Sequence, residues 1–216
     1  MHPQRAVPLV VAALLLSACS GIPGVYTVER SGEPGASSTA GSGSFDAAAS
    51  AARIWKDDVP AAVSGAVPAA TLFPQLATDP ESAQTSHGHS QGNGSPWSYV
   101  VSGEATVASV DTSGPSALLV LEQDWAPGTT VSIQVGPAML GTAVRDSLGT
   151  VDFSTFVNQI DFADVATELN KLVKKDVIAG LDPASAKGKK VTFVGSFAYN
   201  DPKNVVITPL QLKVAP

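Results

Sequence analysis

A single cysteine, Cys19, stands in a chain of 216 residues, which excludes an internal disulfide and any multi-cysteine zinc or iron–sulfur centre. Aromatic residues make up only 6%, too few for more than a small stacking platform for sugars or bases. Cations are outnumbered, 13 Lys and Arg against 19 Asp and Glu, and the net charge of −6 argues against binding to phosphate backbones. No nucleic-acid partner is therefore expected. Long apolar runs are missing as well: the run at residues 7–16 falls well short of the ~20 residues that span a bilayer. What the chain does have is 44% hydrophobic residues with only 15% charged, enough to bury a substantial core.

The N-terminus carries a tripartite export signal. His2 and Arg5 give a short polar, basic start, residues 7–16 are apolar, and the small residues Ser17 and Ala18 precede Cys19. The order Leu16-Ser17-Ala18-Cys19 resembles the bacterial lipobox, in which the cysteine sulfur takes a diacylglyceryl group and the signal is then removed. The chemistry matches the residues: small side chains admit a peptidase, and a nucleophilic thiol accepts the lipid. Acylation of the new amino terminus would strengthen the hold, since each buried CH₂ contributes ~0.8 kcal/mol and one chain anchors only marginally. The bland alternative is an ordinary secretory signal with an incidental cysteine. Loss of Arg5 with the signal leaves a side-chain balance of −7, so acyl chains rather than a basic patch would bind the lipid bilayer. The predicted place is extracytoplasmic, on a bacterial membrane, in the periplasm or on the outer cell face. Covalent diacylglycerol and acyl lipid on Cys19 are the only attached groups expected, with no other cofactor.

Residues 1–18 thus read as signal and residues 19–44 as lipidated cysteine and tether. Of the 25 residues at 20–44, six are Gly, six Ser and two Pro. A flexible chain of that length has an r.m.s. span of roughly 25–30 Å. Residues 45–95 read as a helical extension and a polar loop. Ser44 is the predicted N-cap of a first helix whose stripe of Phe45, Ala48, Ala49, Ala52 and Trp55 docks on the core. Leu72, Phe73 and Leu76 mark a second short helix over residues 69–77. Residues 79–96, with His87, His89 and Gly92-Asn93-Gly94-Ser95, read as a long loop.

From Trp97 the apolar period changes to two. Strands are predicted at residues 97–111 with a bend at Gly103, then at 116–122 and 129–135. Two more, at 190–199 and 205–213, form a hairpin across Asn200-Asp201-Pro202-Lys203-Asn204. Between the third and fourth lies a helix near residues 161–179, capped by Asp161 and ended by Gly180. Phe162, Val165, Leu169, Leu172 and Val173 form its apolar stripe. Three strands, a helix and two strands, with a long bent first strand, are the layout of an OB-fold-like five-stranded barrel plugged by its helix. The fold class is α+β, mainly β, with residues 96–216 in the barrel and the helical extension before it. An open α+β sheet is the structural alternative.

Several stretches carry a family resemblance. They are Gly94-Ser95-Pro96-Trp97, Val135-Gly136-Pro137, Gly141-Thr142-Ala143-Val144-Arg145-Asp146, Phe156-Val157-Asn158-Gln159-Ile160-Asp161-Phe162-Ala163 and Ile207-Thr208-Pro209, with the earlier Phe45-Asp46 and Ile54-Trp55. Together with the lipobox, they resemble a domain-of-unknown-function family of predicted periplasmic lipoproteins. The resemblance implies an OB-like barrel and frequent encoding beside sugar-type ABC transporters, and hence transporter components as partners. It brings no activity and no catalytic residue. The chain departs from the family's usual pattern at Ala138-Met139-Leu140 and Ser113-Gly114-Pro115, where basic residues are common.

Catalytic machinery is harder to find. With Cys19 committed to lipid, the mature histidines His87 and His89 stand without a Gly-x-Ser-x-Gly elbow. Spaced i and i+2 they could touch a metal, but no third His or carboxylate cluster accompanies them. Gly188-Lys189-Lys190 lacks the upstream Gly and the following Ser or Thr of a phosphate loop, so with Lys187 it reads as a solvated start to a strand. Nothing sets Asp146 and Asp152 at a glycosidase separation. Trp97 and Trp125 are candidate aromatic surfaces, with core packing as the plainer reading. The segment 136–160 follows Gln134 and gathers Arg145, Asp146, Asn158 and Gln159. With Trp97 these form a candidate pocket or docking edge at the barrel mouth; an architectural Arg145–carboxylate pair is the plainer reading. No catalytic or metal-binding residue is assigned. The main expectation is a lipid-anchored, non-enzymatic accessory or interaction module. A small-solute-binding lipoprotein is the alternative, and a hydrolase using Asp146 or His87 as base the second. Replacing Cys19 with Ala is expected to abolish incorporation of radiolabelled palmitate and to leave the full-length precursor uncut; label retained on the variant would place the lipid elsewhere.

Overall fold

The computed structural model describes residues 45–92 and 94–216; the signal, the lipobox with Cys19, the tether and Ser44 lie outside them. Helix α1 (Ala47–Asp57) starts at Asp46, whose carboxylate accepts from the Ala49 N–H at 2.8 Å, so the side-chain cap of this helix is Asp46 rather than Ser44. Ala51 and Ile54 are its buried residues, while Ala48, Ala49 and Ala52 of the expected stripe are exposed. Alanine carries too little apolar area to orient a helix, and burying Ile54 sets the rotation instead. Helix α2 (Val59–Ser64) follows, and a two-residue strand β1 (Val67–Pro68) runs parallel to residues 101–102. Helix α3 (Ala69–Thr78) buries Leu72, Phe73 and Leu76 as the spacing predicts.

The next stretch corrects the sequence reading. Asp79 accepts from the Ser82 N–H at 3.1 Å and caps helix α4 (Pro80–His87), with Pro80 at its first position. Its polarity hides it, since only Ala83 is buried, although Asp-Pro followed by Glu81 is helix-start chemistry.

Strands β2 (Ser98–Asp111), β3 (Ser116–Glu122), β4 (Thr130–Pro137), β5 (Lys190–Ala198) and β6 (Asn204–Val214) close in the order β2-β3-β4-β6-β5 and back to β2. Neighbours are antiparallel except β4 and β6. This is the five-stranded OB-type barrel, with every strand within two residues of its predicted bounds. Thr106 pairs with both Lys190 and Glu122, the point where β2 changes partner. Two close approaches make the closure possible. A Cβ on Gly103 would lie 2.9 Å from the Phe193 ring; one on Gly195 would strike Ile207 and lie 2.7 Å from the Thr208 carbonyl oxygen. Val101, Leu119, Ile133, Phe193 and Ile207, one from each strand, join the core that α1, α3 and α6 also enter.

Between β4 and β5 lie α5 (Ala143–Ser147), a 3₁₀ turn (Phe153–Thr155) and α6 (Gln159–Leu172). Helix α6 begins two residues earlier than predicted because Asn158, not Asp161, is the cap: its Oδ1 accepts from the Asp161 N–H at 2.9 Å. A π-helical turn (Val173–Ile178) continues it and packs on β4 and β6. Its buried Val173 completes the stripe of Phe162, Val165 and Leu169.

Tyr99 is fully buried at the start of β2, stacked on Phe197 with ring centroids 5.4 Å apart, and its hydroxyl has no partner. Burial, with a smaller push from Tyr199, raises its pKa to about 12. The unfolded chain releases this proton near pH 10, so stability is full below that pH and falls by up to about 3 kcal/mol as pH rises towards 12. Tyr99→Phe is expected to abolish this alkaline loss and to raise stability at pH 8 by about 1 kcal/mol, because an unpaired hydroxyl leaves the core. Urea unfolding of both proteins at pH 8 and pH 11 checks it; equal alkaline losses would refute the assignment.

Candidate functional site

The six residues expected at a barrel-mouth pocket do not converge. Arg145 and Asp146, on α5, form a buried ion pair, with Arg145 Nε and Nη2 at 2.8 and 2.7 Å from Asp146 Oδ1. Arg145 Nη1 donates to the Phe162 carbonyl at 2.9 Å, and the guanidinium carbon sits 3.4 Å from the centroid of the Phe162 ring. Asp146 Oδ2 accepts from Thr142 Oγ1 at 2.6 Å. Burial pulls the Arg145 pKa below its ordinary value and Asp146 opposes that pull. The network ties α5 to α6. Asn158 caps α6, and Gln159 is exposed in its first turn. Trp97 is half-buried against the core beside Gly88, where a Cβ would come within 2.8 Å of the indole.

Gln134 does line a cavity. About 450 Å³ in volume, it opens on the outer face of the barrel, where Leu118 of β3, Gln134 of β4, and Val206 and Thr208 of β6 lie side by side. The β2–β3 turn (Gly114, Pro115), residues 140–143 and Asn200 form its walls. The Gln134 amide itself is engaged: Oε1 accepts from the Leu140 N–H at 2.9 Å, and Nε2 donates to the Leu140 carbonyl at 3.0 Å and to Thr208 Oγ1. These bonds fold the segment after β4 over Gln134, which is buried where alternation alone would leave it in water. Ser116, also in the lining, is 7% exposed, and its hydroxyl has no partner. No ionisable side chain and no aromatic ring lines this cavity.

The remaining candidates sit elsewhere. His87 and His89 share a cleft of about 420 Å³ with Asp58 and Ser147. Ser147 Oγ donates to Ser196 Oγ at 2.7 Å, a contact of α5 with β5. Among the described residues no three His, Cys, Asp or Glu side chains gather as a metal site. Trp125 packs on Phe73 at 4.7 Å between centroids and borders a third cavity, of about 470 Å³, with Glu104, Glu122, Asp124 and Lys190.

A different kind of surface surrounds the start of α6. Val157 is 94% exposed and Ile160 71%, with Phe45 and Phe153 near 40%. The Phe156 ring meets Phe45 and Phe162 edge-on at 5.6 and 5.1 Å, and Phe153 meets Phe162 at 5.3 Å. Asp46, Asp152 and Asp161 stand beside these residues in the chain, and the Ser154 backbone N–H and hydroxyl hold the Asp152 carboxyl below the usual carboxylate range. Sequence periodicity does not reveal this surface, because Val157 and Ile160 look like ordinary helix-stripe residues.

Breaking the Arg145 pair provides a test of its structural role. Asp146→Ala leaves a buried guanidinium without its counter-charge and is expected to cost about 3–5 kcal/mol in chemical unfolding. The double replacement Arg145→Met with Asp146→Leu is expected to cost far less. A loss below about 1 kcal/mol in the single variant would mean that solvent reaches the pair.

Residues 9–213 match the family described as predicted periplasmic lipoprotein (DUF2291). A crystal structure of an OB-fold protein from Thermotoga maritima is similar with a TM-score of 0.62 and 20% identity, covering 79% of this chain and 99% of that one. That likeness bears out the barrel and says nothing of activity. No curated protein matches the sequence. The family match runs from within the apolar leader to the last strand, so it takes in the lipobox, the helices and the barrel together. The chain therefore belongs to this family of predicted periplasmic lipoproteins, extracytoplasmic and held to a membrane by lipid.

Proposed function

We propose that the chain is a non-enzymatic docking module, tied to the membrane through lipid on Cys19, that assists a membrane transport system. The apolar surface around Val157 carries this reading. Large aliphatic side chains left 94% and 71% in water, beside partly exposed phenylalanines, are the composition of an interaction site rather than of an idle surface. The neighbouring carboxylates of Asp46, Asp152 and Asp161 favour a partner with an apolar centre and a cationic rim. In the sequence the tether runs directly into Phe45, a member of that surface. A link of 25 residues between Cys19 and Phe45 keeps the module beside partners in the same membrane. Such tethering sets an effective concentration on the order of mM, at which a small patch suffices. Absence of turnover is supported by the Arg145–Asp146 pair, whose hydrogen bonds are spent internally.

Components of a sugar-type ABC transporter, the gene neighbours that the family resemblance implies, are the partners to test first. A photo-crosslinking residue placed at Val157 of the lipidated chain in native membranes is expected to capture such a component, whereas one at Lys213 on β6 is not. Val157→Asp with Ile160→Asp is expected to end the capture without a significant change in Tm. Capture of lipid alone, or of a second copy alone, would overturn the reading.

A further inference from the structure

We infer that the outer-face cavity of the barrel binds a small, uncharged amphiphile, with its apolar body on Leu118, Leu140 and Val206 and a hydroxyl or carbonyl reaching Ser116. The inference is independent of the docking surface, which lies on other elements. Four observations carry it. The volume of about 450 Å³ falls within the range of small-molecule sites. Leu140 and Val206 are 53% and 42% exposed, large apolar side chains left in water on the wall and floor of one cleft. Ser116 Oγ is buried without a partner, whereas nearly all buried polar groups in folded proteins have one. By the alternation of β3, Ser116 falls on the same outward face as Leu118, and both line the cavity. Thr208 Oγ1 accepts from Gln134, which leaves its own hydrogen free to donate. The cleft thus offers an apolar floor with hydroxyls at its edge.

The lining also excludes ligands. With no Lys, Arg, Asp or Glu in it, a carboxylate, phosphate or ammonium would lose its hydration without gaining a counter-charge. With no aromatic ring and most amide groups already engaged, a sugar would find neither a stacking face nor enough partners for its hydroxyls. The bonds from Gln134 to Leu140 hold the wall in place before any ligand arrives.

The test uses residues 19–216 expressed without the export signal and carrying Cys19→Ser, so that the chain needs no processing and no acyl chain competes, with 1-octanol, octanoate and glucose as probes. Methyl NMR signals of Leu118, Leu140 and Val206 are expected to shift saturably with 1-octanol. Octanoate is expected to bind at least tenfold more weakly and glucose not at all. Val206→Trp, at a partly exposed position that tolerates bulk, is expected to fill the cleft and remove 1-octanol binding; Ser116→Ala is expected to weaken it about fivefold. Val157→Asp with Ile160→Asp is expected to leave it unchanged, which separates this site from the docking surface. Octanoate binding as tightly as 1-octanol, glucose binding, shifts confined to Val157 and Ile160, or no saturable shift would each overturn the inference.

Discussion

Closure of the barrel through the pairing of β2 with β5 is the constraint on which the other features depend. Nine residues of β2, Ser98 to Thr106, pair antiparallel with Ala198 to Lys190, and the same strand then turns to β3. Without that seam both strands would present free edges, a liability that full closure removes. The seam requires backbone to pass close to side chains, and Gly103 and Gly195 are where it does so. The helices build on this wall. Ala69 of α3 sits against Gly103, and Ser147 of α5 bonds to Ser196 of β5. The Arg145–Asp146 network then carries the hold from α5 to α6, at whose start the exposed apolar surface lies.

The large exposed hydrophobic residues fall into two groups. Leu140 and Val206 border the outer-face cavity, and Phe45, Phe153, Val157 and Ile160 belong to the neighbourhood of the α6 N-terminus. The two differ in chemistry. The cavity has no charge in its lining and an unpaired hydroxyl within it; the other surface is flat in composition, aromatic beneath, and bordered by carboxylates. Those differences suit a small neutral ligand at one and a macromolecular partner at the other. Meanwhile the buried Arg145–Asp146 pair is engaged by internal hydrogen bonds to Thr142 and the Phe162 carbonyl, which hold α5 and α6 in position.

Legibility followed the physics of each signal. Alternation located all five barrel strands, because a strand with one face in the core has a period that no helix shares. Leu72, Phe73 and Leu76 placed α3, since large apolar groups at helical spacing leave little freedom. Periodicity is silent where side chains are small or polar. In α1 the alanines could not report the rotation that Ile54 imposed, and α4 passed for a loop because one alanine was its whole buried face. The candidate site was legible in part. The plainer reading of Arg145 and Asp146 as a structural pair agrees with their geometry, and Gln134 was placed near a real cavity. Trp97, Asn158 and Gln159 lie on other surfaces, and Ser116, Leu118 and Val206 carry no signal in the sequence, because each is unremarkable until its neighbours across the barrel are known.

Linear order alone determined the address of this protein and the identity of its strands. An export signal is read from the chain before it folds, and strand alternation is a property of consecutive residues, so neither needs tertiary contacts. The cavity and the apolar surface were decided only in three dimensions. Gln134 meets Thr208 across 74 residues, and the Arg145 guanidinium reaches Phe162 across 17. Whether a leucine or valine ends in the core or in water depends on what such distant contacts bring over it.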